Sequence, residues 1–349
     1  MARIASSAPF ATTEVARFAE PWALAFLPGE QGALITERRG KLKWWRQGEA
    51  AVDVAGVPAV DYGGQGGLGD VVLAPDFATS GIVYLSWAEA GEGDTRGAAV
   101  GQAKLVLSGT PRLEGLRLIW RQSPKVAGRG HYSHRIAFSP DGKYLFIASG
   151  ERQKFTPAQD VNVNLGKIVR LLPDGTPAPG NPFAERSGPI TQLWTLGHRN
   201  ILGLKFDAQG RLWDLEHGPQ GGDELNLVTR GQNYGWPVVS NGDNYDGTPI
   251  PRHTSQPEFA APAISWNPVI APGDFIFYSG SMFPEWRGQA IIAGMVYPGL
   301  VRVGIEGESA KELARYPLDS RIREIAQAAD GAIWVLEDGP DARLLRLSR

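Results

Sequence analysis

The sequence predicts an all-β protein, a six-bladed β-propeller with four-stranded antiparallel blades. Three observations lead there. Glycine (44) and proline (26) are abundant and tryptophan is high at 11, as expected of many short strands joined by tight turns. One pattern recurs six times: an apolar alternating run, a Pro/Asp/Gly turn, and a second β-rich run. No helical period of useful length interrupts it.

The copies follow in order. They are PWALAFLPGEQGALITE at 21–37, LGDVVLAPDFATSGIVYLSW at 68–87 and HRIAFSPDGKYLFIASG at 134–150. Then come ILGLKFDAQGRLWDLEHG at 201–218, the weaker PGDFIFYSGSMFPEWRGQAIIAG at 272–294, and IREIAQAADGAIWVLED at 322–338. Each leaves room for a second hairpin before the next copy, which makes four strands per blade. Residues 1–349 then form one propeller domain, with 1–13 expected as a flexible lead. A closed ring must also tie its ends together. The run at 14–18 is expected to add a strand to the blade ending at 343–347.

With 35 basic and 37 acidic residues interspersed, the net charge of −2 argues against a nucleic-acid surface. No run of 18 apolar residues suggests membrane insertion. There is no cysteine, so disulfides, thiolate metal sites and a cysteine nucleophile are impossible. The opening MARIASSAPFATTE lacks an apolar signal core. The expectation is either a cytoplasmic protein or a chain that begins after a removed signal.

The chemistry-bearing residues concentrate between blades. Gln65 sits in the glycine turn GQGGLGDV (64–71). His131 and His134 sit in GRGHYSHRIAF (128–138), just before a strand, and the chain has only five histidines. A histidine held there serves as a general base near neutral pH; the plain reading is a solvent-facing loop residue. His131 and Arg135, four apart, would share a face in a strand. His198-Arg199-Asn200 precedes another strand. Arg199 could fork onto a carboxylate or a polarised carbonyl, or make a loop salt bridge. The stretch EHGPQGGDE (216–224) mixes carboxylates with free backbone carbonyls, which suits calcium, although the EF-hand spacing is absent. NYGWP (233–237) can add a carbonyl. Arg321 and Arg323 alternate, so both point to one side; they repel unless an anion sits between them.

Together these motifs resemble the soluble quinoprotein sugar dehydrogenases, the glucose/sorbosone dehydrogenase family that includes the aldose sugar dehydrogenases. The resemblance runs from PWALAFLP to the last blade. It is carried by GQGGL, APDF, AQD before LGKIVRL, GNPF, GHRN, EHGP, GGDELN, NYGWP, FPEWRG and RIRE, in that order. It implies a six-bladed propeller with pyrroloquinoline quinone (PQQ) and Ca2+ on the channel axis. His131 would be the base on the sugar's anomeric hydroxyl, and Arg199 would hold the quinone carbonyl. Gln65 and Asn200 would hydrogen-bond the cofactor or sugar. Gly218 and Pro219 would give main-chain oxygens to the cofactor calcium. Arg321 and Arg323 would pair with cofactor carboxylates. Glu224 and the Tyr234 carbonyl would match a second, structural calcium. Trp266 would offer a stacking surface on the rim. The substrate would be an aldose oxidised to its lactone, with an electron acceptor as second partner. The enzyme would be periplasmic or secreted, a monomer or homodimer. The chain departs from the family pattern at Val296 and Tyr297, where a basic residue is usual, and at Ser133 and His134, beside the base. Two other readings are a calcium-dependent lactonase-like hydrolase and a non-catalytic binding propeller.

Overall fold

The computed structural model describes residues 8–29 and 31–349. Among the described residues the strands form six antiparallel sheets of four. Five sheets use consecutive strands. The sixth joins Ala11–Phe18 to Ala342–Ser348, Ile333–Glu337 and Ile322–Gln327. The innermost strands are Pro21–Phe26, Leu68–Leu73, Ser133–Phe138, Ile201–Phe206, Pro272–Phe277 and Ile322–Gln327. They touch one another in a closed cycle, so the sheets form a six-bladed propeller. The six repeats of the sequence are the inner hairpin of each blade.

The ring closes as expected but over more chain. Pairing runs from Ala11↔Ser348 to Phe18↔Ala342, which places 11–13 in a strand rather than in a flexible lead. Phe10 is also fixed, edge-on to Trp286 (6.3 Å) and Tyr316 (5.8 Å). Both partners belong to the far end of the chain, which is why local sequence does not reveal the contact. Residues 1–7, the rest of that lead, lie outside the described residues.

The second strand of a blade is sandwiched between its neighbours. Ala33–Glu37, Leu145–Ser149, Leu212–Glu216, Ala290–Gly294 and Ile333–Glu337 are buried at every residue. Burial on both faces explains why ALITE, LFIAS, AIIAG and IWVLE are nearly continuous apolar runs. Each fully buried Leu, Ile or Val in them contributes about 1.5–3 kcal/mol.

The innermost strands share a second feature. All six have a register shift near their leading end, at Pro21/Ala23, Leu68/Val71, Ser133/Ile136, Ile201/Gly203, Pro272/Asp274 and Ile322/Glu324. Bulges of this kind re-aim side chains. Here they turn Trp22, Asp70, Arg135, Leu202, Gly273 and Glu324 toward a common centre. Arg135 is buried there. It donates to the Leu202 carbonyl (2.6 Å), to Glu324 (2.8 Å) and to the Gly273 carbonyl (2.8 Å). It lies 3.6 Å from Asp70 and 4.1 Å above the Trp22 ring. One guanidinium thus touches an inner strand of every other blade. The same shift breaks the expected face-sharing of His131 and Arg135, whose partners are unrelated.

Candidate active site

The loops leading into the inner strands and those leaving the second strands open on one end of the ring. The loop before Ser133–Phe138 carries the strain. His131, Ser133 and His134 have φ of 50°, 64° and 72°, each costing about 1–3 kcal/mol for a residue other than glycine. The surroundings hold them there. Arg152 donates to the carbonyls of Gly130 (2.9 Å) and Arg96 (2.7 Å) and to that of Gly128. The Asn200 side chain accepts from the Ser133 N–H at 3.1 Å, and the Gln65 side chain from the His131 N–H at 2.8 Å. Gln65 and Asn200 therefore build the His131 loop as well as facing the cavity.

The His131 Nδ1 is hydrogen-bonded to the Glu151 carboxylate. That carboxylate also accepts from the N–H groups of Gln153 (2.8 Å) and Phe155 (2.6 Å). Burial pushes the imidazole below its ordinary pKa, outweighing the opposing pull of Glu151. Burial raises the Glu151 carboxyl, but the bond to His131 and the backbone N–H bonds bring it below the usual range. Burial favours the neutral ring, and a proton on the Nδ1 that faces Glu151 would leave the Nε2 lone pair to take another.

Of the contacts its sequence allowed, Arg199 takes carbonyls rather than a carboxylate or a loop salt bridge. It forks onto main-chain carbonyls, Gly218 (2.8 Å) and His217 (3.2 Å), and reaches the Tyr245 hydroxyl at 3.3 Å. Its Nε is buried without a partner. Arg321 and Arg323 do point to one side, and the anion between them is Asp338, at 3.0 Å from each.

Gln65, Asn200, Arg321 and Arg323 line a cavity of about 260 Å³, with Arg38 and Tyr132. Its lining holds three arginines and no carboxylate residue. His134 also lines it, pushed to about 3 by burial and with both ring nitrogens unpartnered. A second cavity of about 540 Å³ includes Gly218, Pro219 and Tyr245, and shares His217, Ala271 and Val296 with the first. Asp223 fixes the turn beneath it, accepting from the N–H groups of Gly218 (2.8 Å), Ile270 (2.9 Å) and Ala271 (2.7 Å). Val296, at the family's basic position, is an exposed apolar wall between the two spaces. A larger groove of about 1270 Å³ lies between the fourth and fifth blades at the opposite end, and none of the predicted site residues reaches it.

Glu224 and Tyr234 are not at these cavities. Glu224 belongs to a buried cluster with Asp214, Glu216, Asn226 and His198. The Asn226 amide donates to Asp214 and Glu224, both at 3.1 Å, and His198 bonds Glu216 at 2.8 Å. Burial, then repulsion from Glu216, holds Asp214 and Glu224 well above the usual carboxylate range. One oxygen of Asp214 has no hydrogen-bond partner. The ligand atoms of His198, Asp214 and Glu216 lie within 4.8 Å of one another. The Tyr234 ring stacks on His198 at 4.9 Å. Trp266 is no rim surface: it is 4% exposed and its Nε1 donates to Glu312 at 2.8 Å.

The family model for Glucose / Sorbosone dehydrogenase matches residues 18–346. The chain belongs to this family. It is 39% identical over 337 residues to the aldose sugar dehydrogenase YliI of Escherichia coli K12, covering 94% of this chain and 90% of that protein. It is 30% identical over 248 residues to quinoprotein glucose dehydrogenase B of Acinetobacter calcoaceticus, covering 63% and 51%. The apo-form crystal structure of the soluble E. coli aldose sugar dehydrogenase superposes with a TM-score of 0.91 at 36% identity, covering 97% and 99% of the two chains. The PQQ-bound aldose sugar dehydrogenase of Streptomyces coelicolor superposes at 0.79 with 27% identity, covering 99% of each.

Within this family member, several site residues escaped the sequence reading: Arg38, Glu151, Tyr132, Asp338 and Tyr245. A signal for three of them exists. Arg38, Glu151 and Asp338 each stand one or two residues beyond the second strand of a blade, as His217 does. Reading the repeats in register would have marked that position.

Proposed function

We propose that the protein is a PQQ-dependent dehydrogenase that oxidises the anomeric carbon of aldose sugars to the lactone. The observation that carries this reading is an arginine-lined cavity free of carboxylates beside a carboxylate-held neutral histidine. PQQ is a planar tricarboxylate, and Arg38, Arg321 and Arg323 suit such a group electrostatically. When bound, PQQ supplies the quinone that accepts hydride. His131 Nε2 takes the proton of the anomeric hydroxyl, and Glu151 keeps the ring oriented and offsets the charge it gains. Asn200 lines the cavity, and its neighbour Arg199 is held by the Gly218 carbonyl and the Tyr245 hydroxyl; in this reading both would donate where oxygen charge develops.

The Gly218 and Pro219 carbonyls are the candidates to hold the cofactor calcium. Calcium takes six to eight oxygens, so two carbonyls suit a site completed by water and the cofactor's own oxygens. The Asp214–Glu216–Glu224 cluster fits a structural cation through its crowded, buried carboxylates. A hydrolase with an axial metal is less favoured, because Asp70, Asp274 and Glu324 are already engaged by Arg135 and Lys205. The resemblance further supports a periplasmic or secreted enzyme and an external electron acceptor.

The test is reconstitution of purified protein with PQQ and calcium, followed by dye reduction with a panel of aldoses. Sugar-dependent reduction, lost in His131→Ala, is the expected result. Absence of PQQ uptake and of turnover with every sugar would sink the proposal.

A further inference from the structure

Among the described residues few large apolar side chains are exposed, and besides Val296 two of them, both aromatic, flank the site. Tyr245 is 75% exposed and Phe155 is 48% exposed. Each is tied to a polar group of the site. The Phe155 N–H donates to the Glu151 carboxylate that holds His131. The Tyr245 hydroxyl accepts from Arg199. The rings belong to one row: Phe155 stacks on Trp236 at 5.7 Å and 27°, and the Arg199 guanidinium lies 5.1 Å from Trp236 and 5.9 Å from Tyr245.

Neither aromatic is exposed for want of structure. Tyr245 sits in a turn closed by Asn244 and Asp246 on Thr248, at 3.0 and 2.7 Å. A backbone pair between Gln220 and Asp243 anchors that turn beside Gly218 and Pro219. Phe155 is held at φ 64°, after Arg152 and Gln153 at 62° and 58°. A non-glycine backbone in that region persists where surroundings enforce it, and such strain gathers at ligand sites.

A pyranose has one face lined with C–H bonds and an edge of hydroxyls. The row offers the matching chemistry: apolar ring faces with a guanidinium set among them and a base at its end. We propose that Phe155 and Tyr245 form an aromatic wall that binds the C–H face of the aldose and orients its anomeric hydroxyl toward His131. This inference rests on the sugar-oxidation reading and assigns the substrate contacts within it.

The test uses protein loaded with PQQ and calcium, and methyl β-glucopyranoside, which lacks a free anomeric hydroxyl and is not turned over. Its dissociation constant is measured by calorimetry, alongside KM and kcat for glucose and the PQQ dissociation constant. Phe155→Gly removes the ring yet keeps the N–H to Glu151 and accepts positive φ. Tyr245→Ala removes the other ring, and Tyr245→Phe keeps it. The first two variants are expected to weaken the glucoside and raise KM about five- to tenfold, the scale of one lost aromatic contact. Their kcat falls less and their PQQ affinity stays within about twofold. Tyr245→Phe retains more affinity than Tyr245→Ala. Unchanged glucoside affinity in both ring-deleting variants overturns the inference. So does loss of PQQ affinity alone, which would make the wall a cofactor contact. A wild type that takes up no PQQ fails the sugar-oxidation reading itself and this inference with it.

Discussion

His131 is neutral because its ring is buried, and it is aimed because Glu151 holds Nδ1. Its pKa lies below the ordinary 6.5, so the folded chain releases a proton that the unfolded chain binds. This contribution to stability is therefore lost as pH falls below about 6.5. With His131 as the proposed base, the same shift predicts the activity profile. The acid limb of kcat/KM is expected below pH 6.5. Glu151→Gln removes the charge that pulls the imidazole upward, so the limb should move still lower. Rate should fall by about 10²-fold, within the range a positioned base contributes. A pH–rate profile checks both, and a limb that stays in place would disconnect Glu151 from the base. At this scale the sequence marked His131, Arg199 and Asn200 correctly as polar residues at strand mouths. It left open whether Arg199 meets a carboxylate or a carbonyl, because its acceptors lie a whole hairpin away, on the turn after Leu212–Glu216.

Elements decide which polar residues meet. The second strand Leu212–Glu216 alternates apolar residues with Asp214 and Glu216, and both faces are covered by neighbouring blades. Those carboxylates are therefore buried whatever their charge, together with Glu224 on the adjacent strand. An ion that binds them stabilises the fold by mass action, about 2.7 kcal/mol at a hundredfold excess over its Kd. At 349 residues that corresponds to about 4 °C in Tm. Calcium is expected to raise Tm of the PQQ-free protein and a chelator to reverse it. In Glu224→Gln the calcium-dependent rise should shrink to near zero, as thermal denaturation will show. The sequence placed Glu216 and Glu224 in one carboxylate-rich stretch, but Asp214 was not read as their neighbour. Their cross-strand register, Glu216↔Glu224, is a property of the hairpin rather than of either segment.

The whole molecule is a ring with one hub. Arg135 reaches an inner strand of each other blade and shares buried space with Asp70, Asp274 and Glu324. Removing one partner from such a set leaves charges buried and uncompensated, which costs about 3–5 kcal/mol. Arg135→Met is expected to lower unfolding free energy by that amount in urea titration. A loss below 1 kcal/mol would show that the blades hold the ring without it. Trp22 and Leu202 touch this hub and also line the arginine-rich cavity, so the hub forms part of the floor on which the site rests.

The sequence by itself determined the blade count and the inner hairpins, because alternation and turn chemistry act within twenty residues. It also marked the loops where polar residues concentrate, since dense polar motifs interrupt the apolar runs. Only the tertiary structure decided the partners: Glu151 for His131, Asp338 for the arginine pair, Gly218 for Arg199, and an axial guanidinium for six bulged strands. Those contacts join segments that are distant in sequence or separated by a whole strand. Their geometry is fixed by ring closure and by the register shift of each inner strand, which no local pattern of residues encodes.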